Sequence, residues 1–190
     1  MSAPGQIMRK RGQQMARVTG VAVQAVSGET AAIFKEIEGA FGMVPNLFKT
    51  YAHHLPLLKA NWGKVKAVIM EGVLSPKVKQ TIAVLVSKDN GCAYCVAAHT
   101  GALKAIGVSD GEIALIEEDL ERAAFTAKEK ALIAFARKAN TAPLRITAAE
   151  FQVLRSAGVT DGEIIESLGV MELFTAFNKF LDCLQVEIDF

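Results

Sequence analysis

Asn90-Gly91-Cys92-Ala93-Tyr94-Cys95-Val96-Ala97-Ala98-His99 sets two thiols and an imidazole into eight positions behind a turn signal. Read as a helix start with Asn90 as cap, the stretch places Cys92, Cys95 and His99 within roughly sixty degrees of one another on one face. Cys95 and His99 form an i,i+4 pair, so the imidazole can take or return a thiol proton. Cys92 falls in the first turn on this reading, where unpaired N–H groups and the dipole favour thiolate. The pattern points to a redox centre. Two other readings fit the same residues: buried structural cysteines, since free Cys packs as a small hydrophobe, and three zinc ligands. A structural zinc site wants four ligands, and no second Cys-x-x-Cys or His-x3-His follows, so no metal and no cofactor is expected.

Outward from this core, the flanks are written for helices and strand signals are nearly absent. Ser75-Pro76 is a cap followed by proline at the first helical position, opening a helix to about Lys88. Capping boxes recur at Ser109 with Glu112, Thr126 with Glu129, Thr147 with Glu150 and Thr160 with Glu163. Helices at Glu29 to Gly39, Leu47 to His53 and Leu55 to Glu71 bring the count to about nine, with Gly42, Gly72, Gly107 and Gly158 as stops. Gly107-Val108-Ser109-Asp110-Gly111-Glu112-Ile113 recurs as Gly158-Val159-Thr160-Asp161-Gly162-Glu163-Ile164. Either a duplicated unit or two independent helix ends followed by caps would produce it.

The 190 residues fit one domain, and 51% hydrophobic with 22% charged residues is the composition of a core-rich protein. Residues 1–28 read as an arm, partly flexible or packed on a neighbouring subunit, and 29–190 as a single all-helical domain. Lys plus Arg number 21 against 20 acidic residues, so no basic field invites nucleic acid or an anionic membrane. Met8-Arg9-Lys10-Arg11 is basic but no apolar stretch follows it, and a cytoplasmic protein is expected. Cys183, His53, His54 and Trp62 read respectively as a packing thiol, two imidazoles at a helix C-terminus, and a core or interface aromatic. The apolar stripe Leu168, Met171, Leu173, Phe174, Phe177, Phe180, Leu181 and Leu184 is either a central buried helix or a homo-oligomer interface.

The run from Ser75 to His99 resembles the core of the alkylhydroperoxidase D-like (AhpD-like), carboxymuconolactone decarboxylase superfamily. Phe41-Gly42-Met43-Val44-Pro45-Asn46-Leu47-Phe48, Ala52-His53 and Ala131-Leu132-Ile133-Ala134-Phe135-Ala136 are similar to its peroxidase-related branch. The resemblance implies an all-α, AhpD-like helical bundle that assembles into dimers, trimers or hexamers. It also implies a thiol-dependent peroxidase that reduces hydroperoxides with Cys92 and Cys95 cycling between dithiol and disulfide, and His99 relaying protons. A dithiol protein reductant is the implied partner. The family's relay glutamate, twelve residues before the first cysteine, is Gln80 here, which can hold a hydrogen bond but not shuttle a proton near neutral pH. Glu71 is the nearest acid along the chain. Cys95 reads as the peroxidatic thiol because His99 is its i+4 neighbour, and Cys92 as the resolving thiol, nearer the helix start and more open to a reductant. Tyr94 adjoins the pair as a site-lining residue or peroxide donor. The alternatives are a dithiol-disulfide carrier with weak peroxidase activity, which Gln80 favours, a helical oligomer whose thiols are relics, and a lactone decarboxylase, against which the Cys pair argues.

Overall fold

A computed structural model of the protein describes residues 15–190, so the basic tract and the first half of the arm lie outside the described residues. Nine α-helices and no strand are found among them. The central one is α4 (Pro76–Asn90), where the Ser75 hydroxyl accepts the Val78 N–H and Pro76 takes the first position. Val78, Lys79 and every residue from Thr81 to Ser87 are buried, the signature of a helix enclosed on nearly all sides. Against it pack α5 (Ala93–Ala105), α7 (Ala127–Thr141) and α9 (Asp161–Leu184). Around this centre lie α1 (Gly28–Phe41), α2 (Asn46–Tyr51), α3 (Leu55–Val65), α6 (Asp110–Glu118) and α8 (Ala148–Ser156).

The apolar stripe of α9 is spent inside the chain: Leu173, Phe174, Phe177 and Leu181 are buried, with Leu168, Met171, Phe180 and Leu184 packed against them. Full capping boxes close the starts of α7, α8 and α9. At α6 only half of the expected box forms. Ser109 caps Glu112, but the Glu112 carboxylate turns to the Ala124 N–H (2.7 Å) and Lys77 (2.9 Å). The recurring heptapeptide is two helix ends of the same kind: Val108 N–H reaches back to Leu103 (3.0 Å) and Gly107 to Lys104 (2.9 Å), as Val159 does to Leu154 (3.0 Å) and Gly158 to Arg155 (2.9 Å).

The expected helix from Leu55 to Glu71 ends earlier, as a π turn over Lys66–Met70. A side chain on Gly169 of α9 would meet Val68 Cγ1 at 3.0 Å, so the turn rests on bare backbone there. Beyond it Gly72 adopts φ +99° directly over the Glu166 carboxylate, a place closed to any Cβ. Glu166 accepts the N–H groups of Val73 (2.8 Å) and Leu74 and pairs with buried Lys79 at 2.7 Å. Residues 15–28 cross their own chain: Val21 N–H bonds Lys49 (2.9 Å) and Arg17 N–H bonds Leu184 (2.9 Å).

Several single-residue expectations change. Cys183 is exposed on the outer face of α9 rather than packed. His54 caps the start of α3, accepting the Leu57 N–H through Nδ1 at 3.3 Å, while His53 Nε2 meets the Thr19 carbonyl at 2.8 Å. Trp62 keeps one of its two expected places, the core, with its indole N–H on Glu36 at 2.8 Å.

Candidate active site: the cysteine pair and its cavity

The chain leaves α4 at Asn90 through Gly91, whose φ of +79° no β-carbon would tolerate easily. Cys92 then takes the N-cap position of α5, with ψ 97°. Asn90 is therefore the last residue of α4 rather than the cap of α5, and Cys92 stands one position ahead of the first turn. The Asn90 amide turns inward to Asn178 Oδ1 (2.9 Å). Both sulfurs are enclosed: Cys92 is 0% and Cys95 2% exposed. That overturns the expectation that Cys92 is the more open thiol, because the loop that carries it folds under the end of α9.

One face of α9 follows α5 residue by residue. Phe174 meets the His99 ring edge-on (centroids 4.3 Å apart), Asn178 hydrogen-bonds Cys95, and Asp182 hydrogen-bonds Cys92. From α4, Gln80 Oε1 lies 2.6 Å from His99 Nδ1, and Ser87, two turns on along the same face, hydrogen-bonds Cys95. Sequence reasoning named Gln80 and His99 but missed Ser87, Asn178 and Asp182. Their signal was present: a lone Asn among Phe174, Phe177, Phe180 and Leu181, four residues from its neighbours on the buried face.

Proton positions follow from these contacts. The Cys95 thiol and backbone N–H both point at the Cys92 sulfur and hold its pKa below the ordinary thiol value, against burial and the Asp182 charge. Cys95 is pushed far up by the same hydrogen bond to Cys92 and by burial, so of the two Cys92 gives up its proton first while Cys95 keeps its own and donates it to the Cys92 sulfur. Burial lowers His99 to about 4, leaving a neutral ring. With the Gln80 oxygen facing Nδ1, that nitrogen carries the proton and Nε2 is the free base. Glu71 takes no part: its side chain is exposed, and its carbonyl accepts Lys79. Tyr94 is not free to serve a peroxide, since its hydroxyl donates to Asp189 (2.9 Å) and accepts the Leu47 N–H (3.3 Å).

Cys95 and His99 open together into a cavity of about 490 Å³ walled by Phe41, Met43, Leu47, Phe48, Val65, Ile69, Phe174, Phe177 and Phe190. Cys92 is not on its surface, and among the described residues no Lys or Arg lines it. Gln80 and Tyr94 also line it. Among the described residues no three His, Cys, Asp or Glu side chains gather in a metal-binding group, and no helix is long and apolar enough to cross a membrane.

Residues 56–138, which carry Gln80, Ser87, both cysteines and His99, match the family model described as the Carboxymuconolactone decarboxylase family. The match spans the cysteine pair and the helix before it. The resemblance read from the sequence is thereby shown, and solved structures share the fold along the chain. An uncharacterized peroxidase-related protein from Silicibacter sp. TM1040 is 26% identical with a TM-score of 0.79, over 96% of this chain and 95% of that one. A peroxidase-related protein with an alkylhydroperoxidase AhpD core, from Ralstonia eutropha JMP134, is 23% identical with a TM-score of 0.83, over 94% of each chain. The debrominase Bmp8, solved with 2,3,4-tribromopyrrole, shares the fold at 20% identity and a TM-score of 0.79, over 90% and 91%. An alkyl hydroperoxide reductase of Mycobacterium tuberculosis is 28% identical over 96 residues, half of this chain but only 28% of that protein.

Proposed function

We propose that the protein is a thiol peroxidase for apolar hydroperoxides, with Cys95 as nucleophile, Cys92 as resolving thiol and His99 as proton relay. The observation that carries this reading is the shared exposure of Cys95 and His99 to an apolar cavity, with Cys92 directly behind Cys95. Cys95 hands its proton on and its thiolate attacks the terminal oxygen of ROOH; the O–O bond breaks and the alkoxide takes the relayed proton, leaving as ROH. The Cys92 thiolate then attacks the Cys95 sulfenic acid, expelling hydroxide and closing the disulfide. Two electrons pass from the sulfurs to the peroxide, and an external dithiol returns them. Aromatic walls fit an aryl or branched alkyl substituent, and the absence of a cation among the described lining residues disfavours a carboxylated lactone. The burial of both sulfurs likewise disfavours a carrier that must meet protein disulfides face to face. Assembly into a homo-oligomer would use faces other than the α9 stripe, such as those bearing the exposed Leu57, Leu144 and Val153.

Stopped-flow oxidation by cumene hydroperoxide with thiol counting tests this. Two thiols per chain should be lost, mass mapping should find the Cys92 to Cys95 bridge, and Cys183 should stay free. A bridge through Cys183, or none, overturns the reading. The aromatic cavity and the debrominase likeness support a second reading, reductive dehalogenation: an aryl bromide plus two thiols gives arene, disulfide and hydrogen bromide. Bromide release from a brominated pyrrole, without hydroperoxide turnover, would select it.

A further inference from the structure

A directed chain of hydrogen bonds ends at Cys95. Thr175 Oγ1 donates to Asn140 Oδ1 (2.8 Å), Asn140 Nδ2 to Asn90 Oδ1 (2.9 Å), Asn90 Nδ2 to Asn178 Oδ1 (2.9 Å), and Asn178 Nδ2 to Ser87 Oγ (3.0 Å). Each amide is oriented by the one before it. With its oxygen taken by Asn90, Asn178 must face Ser87 and Cys95 with its NH2 group. Ser87, having accepted from Asn178, keeps its own hydrogen to give, and both residues hydrogen-bond the Cys95 sulfur. Asn178 is 1% and Ser87 0% exposed. Burying an amide and a hydroxyl between α4 and α9 costs free energy that an apolar pair of similar size would not incur, so packing alone does not account for them.

We propose that Ser87 and Asn178 are a donor pair built to hold the Cys95 sulfur as thiolate, positioning residues for the nucleophile of the reaction assigned above. The role in turnover rests on the peroxidase reading; the donor pair itself does not. An N–H of Asn178 and the O–H of Ser87, both turned to one sulfur, supply the charge stabilisation that a lysine or arginine gives elsewhere, in a cavity that no cation among the described residues lines. The other ionisable groups that face this sulfur are Cys92 beside it, His99 one turn along α5, Tyr51 of α2 and Tyr94, with Asp182 of α9 reaching it through Cys92.

The test uses full-length Cys92→Ala, in which Cys95 titrates without its partner thiol. Its thiolate is followed by the pH dependence of iodoacetamide labelling, read on the Cys95 peptide by mass spectrometry so that Cys183 does not interfere. Adding Ser87→Ala, a small change that favours helix, should raise the midpoint by about one to two pH units and slow labelling at neutral pH about tenfold or more. Thr81→Val is the control, because Thr81 is a buried hydroxyl of the same helix with no hydrogen-bond partner; it should leave the midpoint in place. An unchanged midpoint in folded Ser87→Ala, or an equal shift in Thr81→Val, overturns the proposal. A shift confined to Ser87→Ala in a protein that no hydroperoxide oxidises supports the donor pair and fails the peroxidase reading instead.

Discussion

At the scale of single residues, Gln80 decides how strong a base the site contains. Its carbonyl fixes the His99 tautomer but adds no charge, so nothing offsets the burial that lowers the ring to about 4. Two outcomes follow. In an NMR titration of the reduced protein the His99 ring should change state near pH 4, well below the ~6.5 of a solvated imidazole, and a midpoint above 6 would contradict the burial account. Gln80→Glu places a carboxylate where the amide oxygen lies, raising the ring's affinity for a proton. The variant should oxidise with cumene hydroperoxide about 10²-fold faster at neutral pH, and the gain should vanish with Cys95→Ser. Cys92, Cys95 and His99 were legible because helical spacing puts them on one face. Ser87 and Asn178 were not, since they come from positions 8 before and 83 after Cys95 and are joined to it only by the packing of α4 and α9.

At the scale of elements, the starts of helices were readable to within a residue or two because six of the nine carry a side-chain cap in the sequence. The one that misled lay at the centre: Asn90-Gly91 looks like an opening, and it is the end of α4. Gly at positive φ closes helices, and a Cys can stand at the N-cap without capping anything, so composition favoured the wrong side of the turn. The segment after α9 was invisible for a related reason, having neither period nor motif. It runs from buried Val186 to Phe190, pinned where Asp189 accepts the Tyr94 hydroxyl and the Asn46 N–H (2.8 Å). Phe190 then meets the Tyr94 ring edge-on, with centroids 5.0 Å apart, and forms part of the cavity wall. Phe190→Ala removes an aromatic face worth about 1 kcal/mol of contact, so KM for cumene hydroperoxide should rise about fivefold. The compact tert-butyl hydroperoxide should be hardly affected; equal losses for both would show that the residue acts on the thiols rather than on the substrate.

On the scale of the whole molecule, the fold is one continuous apolar core crossed by two polar threads: the amide chain to Cys95, and the Lys79–Glu166 pair that ties the loop after the π turn to α4 and α9. Burial pushes the Glu166 carboxyl up, but Lys79 and the N–H groups of Val73 and Leu74 outweigh it and leave it below the ordinary 4.5. A carboxyl held lower in the folded state stabilises fully above its unfolded value and loses that contribution as pH falls through the folded one. Glu166→Gln strands the Lys79 charge at 3% exposure, and at pH 7 should cost about 3 kcal/mol in urea unfolding. The deficit should shrink as the pH drops below about 4.5, where the native carboxyl also protonates. Lys79→Met added to Glu166→Gln should recover most of the loss, because a methionine needs no counter-charge while the glutamine still accepts the loop N–H groups. A double variant as unstable as the single would mean that the loop depends on the Lys79 bond to the Glu71 carbonyl, and not on the ion pair.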